Sequence, residues 1–201
     1  MKKILRTFLA AAFLTAGTYL CFPSTPFLSR PSVAEAAGVI ELNSTQQKQL
    51  DNFFTAFSSS GLRSFRKGTL TNDELLAFAV NYNIKHSKNL KNINEKTWGI
   101  TLQDLTNTVQ KYFGLPLTIH DMGNYTVKDG LYLVPRAASS TNVFSKVDFL
   151  MDNGDGTYLA NVVIYMGSSE GPGASPLIGS RFRALITKTD TGYNLQEYLM
   201  R

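Results

Sequence analysis

Residues 100–134 read ITLQDLTNTVQKYFGLPLTIHDMGNYTVKDGLYLV, and the periodicity of the chain changes inside that stretch. Its first half is helical. Thr101 stands where an N-cap is needed, Asp104 follows three residues later, and Ile100 and Leu105 occupy the two hydrophobic-staple positions. Leu102, Leu105, Val109, Tyr112 and Phe113 then form one stripe, which Gly114 and Pro116 terminate. Its second half has a period of two. Tyr125–Val127 and Leu131–Val134 flank Asp129-Gly130, a pair that supplies the positive φ of a tight hairpin turn.

Working toward the N-terminus, the helical signal recurs twice. Thr71 and Glu74 form a capping box, with Leu70 and Leu75 as its staple, ahead of an apolar run from Leu75 to Ile84. Ser44-Thr45-Gln46-Gln47 reads as another box, and Leu50, Phe53, Phe54 and Phe57 share one face of the helix it opens. Residues 83–97 are polar and lysine-rich and read as a loop. Toward the C-terminus, Val147, Phe149 and Met151 alternate into Asn153-Gly154-Asp155-Gly156, and Tyr158 to Met166 alternate out of it. A last pair, Arg181–Thr187 and Tyr193–Leu199, turns at Asp190-Thr191-Gly192. Between Gly167 and Gly179 runs a long excursion of the kind that is often either functional or disordered. Helices first and antiparallel strands after predict an α+β fold, three N-terminal helices packed on a curled antiparallel sheet of about five to six strands.

The first 36 residues read as a secretory signal peptide. Lys2, Lys3 and Arg6 precede an apolar run from Phe8 to Phe22, and Ala34-Glu35-Ala36 offers small residues for cleavage after Ala36. The competing reading, a retained anchor, is opposed by the shortness of the run and by Pro23, Pro26 and Pro31 behind it. Leu20 is too bulky before Cys21 for a lipid-attachment site. The expected organisation is thus a leader, 1–36, and a single α+β domain, 37–201, secreted, periplasmic or attached to the cell envelope. Of 20 Lys+Arg and 15 Asp+Glu, the leader holds Lys2, Lys3, Arg6, Arg30 and Glu35, so 16 basic and 14 acidic residues remain. The basic character of the whole chain therefore owes much to its leader and does not point to nucleic acid. Cys21 is the sole cysteine, so the exported part has neither disulfides nor a thiol nucleophile and depends on an apolar core.

Four segments together resemble a known group. Leu76-Ala77-Phe78-Ala79-Val80-Asn81-Tyr82-Asn83, Tyr112-Phe113-Gly114, Tyr125-Thr126-Val127-Lys128-Asp129-Gly130-Leu131-Tyr132 and Asp152-Asn153-Gly154-Asp155-Gly156-Thr157-Tyr158 are similar to exported bacterial domains of Gram-positive relatives, and the pattern resembles the cell-wall DL-endopeptidase inhibitor family. At fold level alone it also resembles the helix-plus-curled-sheet domains called NTF2-like. The similarity spans roughly residues 70–165 and is carried by caps, turns and core aromatics, which transfer a fold better than an activity. The first resemblance implies a non-catalytic protein that blocks a wall hydrolase, with no inhibitory residue matched position by position.

Chemistry-bearing residues are few. His86 and His120 are the only histidines, and neither falls in a metal-ligand spacing, so no metal and no cofactor are expected. His120 and Asp121 could carry protons at the mouth of an NTF2-like sheet, but neighbours in an extended chain point to opposite sides, and a polar connection is the plainer reading. His86 is expected to face solvent. Asp152 to Gly156 has the flavour of a calcium loop but lacks the spacing and closing glutamate of one, whereas a hairpin requires such Asn/Asp-Gly pairs.

The strongest surface feature is basic. Arg63, Arg66 and Lys67 flank Phe65, and Lys85, Lys88, Lys91 and Lys96 follow, seven cations against Asp73, Glu74 and Glu95. Such a patch steers a chain toward wall polymer, an anionic membrane surface or an acidic envelope protein; the plainer alternative is a solvated face. Changing Arg63, Arg66 and Lys67 to Ala is then expected to weaken binding to anionic wall material. The expected function is a non-enzymatic binding or inhibitory module acting at the cell envelope. The alternatives are a small hydrolase or isomerase using His120 and Asp121, and a carrier of an apolar ligand.

Overall fold

The computed structural model describes residues 38–136, 142–167 and 177–201. The leader, with Ala34 and Ala36, lies outside them, as do residues 168–176 of the Gly167–Gly179 excursion. Among the described residues, three helices and nine strands follow in the order β1 (Gly38–Val39), α1 (Ser44–Ser59), α2 (Asn72–His86), β2 (Lys91–Asn94), β3 (Thr97–Thr101), α3 (Leu102–Phe113), β4 (Thr126–Lys128), β5 (Leu131–Pro135), β6 (Val143–Asp152), β7 (Thr157–Met166), β8 (Leu177–Thr189) and β9 (Gly192–Met200).

The capping signals place all three helices. Thr71 accepts from the backbone N–H of Glu74, whose carboxylate returns to the Thr71 N–H at 2.8 Å. Thr101 accepts from Asp104 in the same way, and Gly114 ends α3 at φ 66°. The start of α1 moves by one residue. Asn43 is its N-cap, accepting from Thr45 and Gln46 at 3.0 and 2.9 Å while Gln46 bonds back to the Asn43 N–H. An Asn carbonyl that serves two N–H groups outcompetes the adjacent serine hydroxyl.

The expectation of one curled sheet is corrected. The strands form two antiparallel sheets, one of five in the order β1-β6-β7-β8-β9 and one of four in the order β2-β3-β5-β4. The hairpins are where periodicity puts them, with Asp129 and Gly130 at φ 51° and 74° in the β4–β5 turn. Their partners are not local. β5 pairs with β3, Trp98 opposite Val134 and Ile100 opposite Tyr132, which takes the β4–β5 hairpin into the smaller sheet. The segment 83–97, expected as a loop, holds the last turn of α2, β2 and the start of β3, so a hairpin stands between α2 and α3. All four residues of β2 are exposed, so backbone pairing alone makes it a strand and no apolar alternation announces it. β8 starts at Leu177 rather than Arg181.

Helix α1 lies along β6 and completes the edge of the larger sheet. β1 covers the far end of β6 through Gly38–Asp152 and Val39–Met151. Farther along that edge, the N–H groups of Ser145 and Val147 are taken by Thr55 Oγ1 and Asp51 Oδ1, each at 2.9 Å. A bulge between Val147 and Phe149 breaks the expected alternation, so Val147 and Leu150 face the core while Phe149 turns outward. The space between helices and sheet is filled by Leu50, Phe54, Phe57, Phe78, Val162 and Tyr198. The Phe182 and Tyr198 rings stack there at 4.2 Å. These elements belong to the compact unit Val33–Arg201, and the three helices together with β3 and β5 to β9 contribute to one core.

Candidate functional site

Where α1, α3 and the β8–β9 turn converge lies a groove of about 500 Å³. α1 presents Gln49, Asn52 and Phe53 to it, α3 presents Lys111 and Tyr112, and the turn supplies residues 188–193. Phe53 is half-buried, because it sits at the flank of the stripe whose centre, Leu50, Phe54 and Phe57, faces the core. Gly114 is what lets the end of α3 approach β9. Its φ is positive, and a Cβ there would stand 2.3 Å from the Asn194 amide nitrogen.

The floor of the groove is aromatic. The Phe53 ring stacks on Tyr112 at 5.8 Å and meets Tyr193 at 5.9 Å, and Tyr158 joins the edge of Tyr193 at 6.4 Å. Tyr112 donates its hydroxyl to Tyr82 at 3.0 Å, and burial together with that bond raises its phenol well above the ordinary value. Burial raises Tyr193 as well. Both phenols therefore stay neutral. Charge sits on the walls, where Lys111 holds its ammonium 5.1 Å from the Tyr112 ring and Lys188 and Asp190 stand on the turn. A floor of ring faces, two amides and two ammonium groups can stack a flat or puckered ring, bond its hydroxyls and neutralise an acidic substituent.

His120 and Asp121 do not form a pair in this fold. His120 is exposed, and its Nε2 stands 3.1 Å from Asp73 Oδ1 in the first turn of α2. Asp121 accepts the backbone N–H of Val127 at 2.7 Å, which pins the approach to β4. The main chain of His120 also has a structural bond, since its carbonyl accepts from Tyr132, whose phenol burial pushes up to about 12. Asp73, the partner of His120, lines a second groove of about 340 Å³ with Arg63, Glu74, Phe78 and Met122.

Arg63 lines that second groove, which runs along α2 from Asp73 to Asn81, and Lys85, in the last turn of the helix, bonds the carbonyl of Ser59. Arg66 and Lys67 are exposed beside Arg63; Lys88, Lys91 and Lys96 are exposed around the β2–β3 hairpin. Phe65 leaves the patch. It is 7% exposed, exchanges backbone hydrogen bonds with Tyr198 and packs against Phe113. His86 likewise has partners besides solvent. Its Nε2 is 3.1 Å from the Ser59 hydroxyl and its ring lies 4.7 Å from Tyr82, and burial, then Lys85, lowers its pKa. The Asp152–Gly156 segment is a hairpin turn that uses its carboxylates internally, Asp152 accepting from Gly154 and Asp155 from Thr157.

The residues of the large groove escape a sequence reading because three elements far apart in the chain supply them. Phe53 and Tyr112, on helical stripes, and Tyr193, after the 190–192 turn, carry local signals of helix and strand but none of a shared groove. No family model, curated protein or solved structure matches the chain.

Proposed function

We propose that the protein is a non-enzymatic binding module of the cell envelope, of the inhibitory kind that the sequence resemblance implies, and that it holds a segment of anionic wall polymer in the α1/α3/β8–β9 groove. The observation that carries this reading is the aromatic floor of Phe53, Tyr112 and Tyr193 flanked by Lys111 and Lys188. Pyranose rings expose apolar C–H faces that stack on aromatic rings. Their hydroxyls suit Gln49 and Asn52, and their carboxylate or phosphate substituents suit the two lysines. A groove of about 500 Å³ is of the size that holds a small ligand or one repeat of a polymer. The leader expected at residues 1–36 and the helix-over-sheet body akin to NTF2-like domains agree with such a role.

Titration of soluble wall-polymer fragments, followed by calorimetry, tests the proposal. Phe53→Ala is expected to weaken binding at least tenfold, about the loss of one stacked aromatic contact. Lys111→Ala with Lys188→Ala should weaken it further at low salt and little at high salt. The triple change of Arg63, Arg66 and Lys67 to Ala distinguishes the groove from the basic loop, because only a loop-borne site would lose affinity in it. Affinity that is untouched by the groove variants refutes the reading. So does release of new fragment ends that ceases in His120→Gln.

A further inference from the structure

We infer that the end of the five-stranded sheet remote from the groove is a rim that seats on an anionic lipid bilayer. The outermost row on the sheet's open face is Phe144, Tyr165 and Ile178, which the registers of β6, β7 and β8 set side by side. Phe144 and Tyr165 stack at 5.2 Å with an interplanar angle of 11°. On the other face of the same end, Met166 and Leu177 are cross-strand partners. Met166, Leu177 and Ile178 are 43, 67 and 56% exposed, so large apolar side chains gather at this end with their surfaces in water. Single exposed apolar residues are ordinary; three at one end of a sheet, backed by an aromatic stack, form an interaction surface.

The next row inward names the partner. It consists of Lys146, Val163 and Arg181 in register, and Arg183 stands one row deeper opposite Asn161. Successive rows on one face are about 6.6 Å apart, two residues of strand rise. An element lying in the interface sinks its apolar part about 5–10 Å into the boundary between headgroups and acyl chains. With Phe144, Tyr165 and Ile178 at that depth, Lys146 and Arg181 reach the level of the phosphates. Aromatic side chains suit the same layer. The opposing charge is Asp148, 3.5 Å from Arg181, which leaves Lys146, Arg181 and Arg183 in excess by two. Lys146 is also held 5.9 Å from the Tyr165 ring, so cation and aromatic are presented together. A protein interface surrounds a broad apolar centre with a polar rim. Here the apolar row is one residue deep and cations stand directly behind it, which matches a surface that is apolar below and anionic above.

The test uses residues 33–201, which carry the whole core and leave out the apolar run Phe8–Phe22 that would itself partition into lipid. The protein is sedimented with phosphatidylcholine vesicles that either contain or lack phosphatidylglycerol. Binding is expected to the anionic vesicles and to fall with added salt. Leu177→Ser with Ile178→Ser should lower the partition coefficient about tenfold or more. Lys146→Ala with Arg181→Ala should lower it about twentyfold, near fivefold per cation. Lys188→Ala, in the groove, should leave it unchanged. Ile178→Trp places a reporter at an already exposed position, and its emission should shift to the blue on anionic vesicles. Sedimentation indifferent to phosphatidylglycerol overturns the inference, as does full binding by the Leu177/Ile178 variant or a reporter whose emission does not move.

Discussion

The seam between α1 and β6 gives the sharpest test of how this fold holds together. Asp51 and Thr55 are four residues apart, about 6 Å along a helix axis. Ser145 and Val147 are two residues apart, about 6.6 Å along a strand. The near match lets one carboxylate and one hydroxyl take two successive edge N–H groups, at 2.9 Å each. Gln47 reinforces the junction, donating to Asp51 Oδ1 at 2.8 Å and to the Val147 carbonyl at 2.9 Å. A sheet edge that would otherwise invite another strand is closed by side chains of a helix. In Asp51→Ala the Val147 N–H loses its acceptor in a part-buried site, and a bond to a charged group is lost with it. The expected cost is about 2–3 kcal/mol, from the penalty of an unsatisfied buried donor plus the charge-assisted bond. Thr55→Val preserves shape and strands only the Ser145 N–H, so about 1–2 kcal/mol is expected. Asp51→Asn retains a carbonyl oxygen and should recover more than half of the alanine loss.

Urea unfolding reads these differences. With a slope of about 2 kcal/mol per molar urea, Asp51→Ala should lower the midpoint by about 1–1.5 M at unchanged slope. Native-state hydrogen exchange localises the effect, because the Ser145 and Val147 amides should lose protection ahead of the β7–β8 amides. An Asp51→Ala midpoint within 0.2 M of wild type (about 0.4 kcal/mol on the same slope), together with unchanged exchange at those two amides, would refute the idea that α1 serves as the missing edge partner.

Two further outcomes follow from individual residues. His86 is held below its ordinary pKa by burial and by Lys85, so the unfolded chain binds the proton first; its share of stability is present above about pH 6.5 and declines as pH falls below that value, and His86→Gln should flatten that part of a melting-temperature profile. Gly114→Ala forces a left-handed φ of 66° on a side chain and sets its Cβ against the Asn194 amide, costing about 1–2 kcal/mol for the backbone and more for the clash; pairing it with Asn194→Ala should return the second part in a double-mutant cycle, and a fully additive cycle would disprove the contact.

What could be read from the sequence tracks how local each signal is. Thr71, Glu74, Thr101 and Asp104 act within four residues, and Asp129-Gly130 acts within two, so helix starts and hairpin turns are visible before any tertiary contact is known. The pairing of β3 with β5 depends on residues 30 or more apart, and β2 is exposed along its whole length with Ile93 its single apolar residue, so the division into two sheets leaves no periodic trace. The Val147–Phe149 bulge hides in the same way, because hydrophobic residues on both faces of β6 make a slipped alternation look regular. Phe65 shows the converse error. A ring between arginines reads as part of a surface patch until the backbone pairing with Tyr198 turns it inward.

The two proposed surfaces are likewise invisible in one dimension yet related in three. Both lie on β8. Ile178 is at its start and Lys188 and Thr189 at its end, and 11 residues of strand separate Ile178 from Thr189, about 36 Å. β8 is the longest strand of the sheet, flanked by β7 and β9 in continuous register apart from a single shift on each side, so it acts as a stiff spacer. A protein seated by its Phe144–Tyr165–Ile178 row would therefore hold the Phe53–Tyr193 groove some tens of ångströms from the lipid, within reach of polymer lying above it. The rim and the groove make separate demands on the sequence. Lys146 and Arg181 can be exchanged for alanine without touching the groove, and Lys111 and Lys188 without touching the rim. If the two pairs proved energetically coupled in binding wall fragments to protein already on vesicles, β8 would be transmitting strain rather than setting a distance, and the spacer account would have to give way to a conformational one.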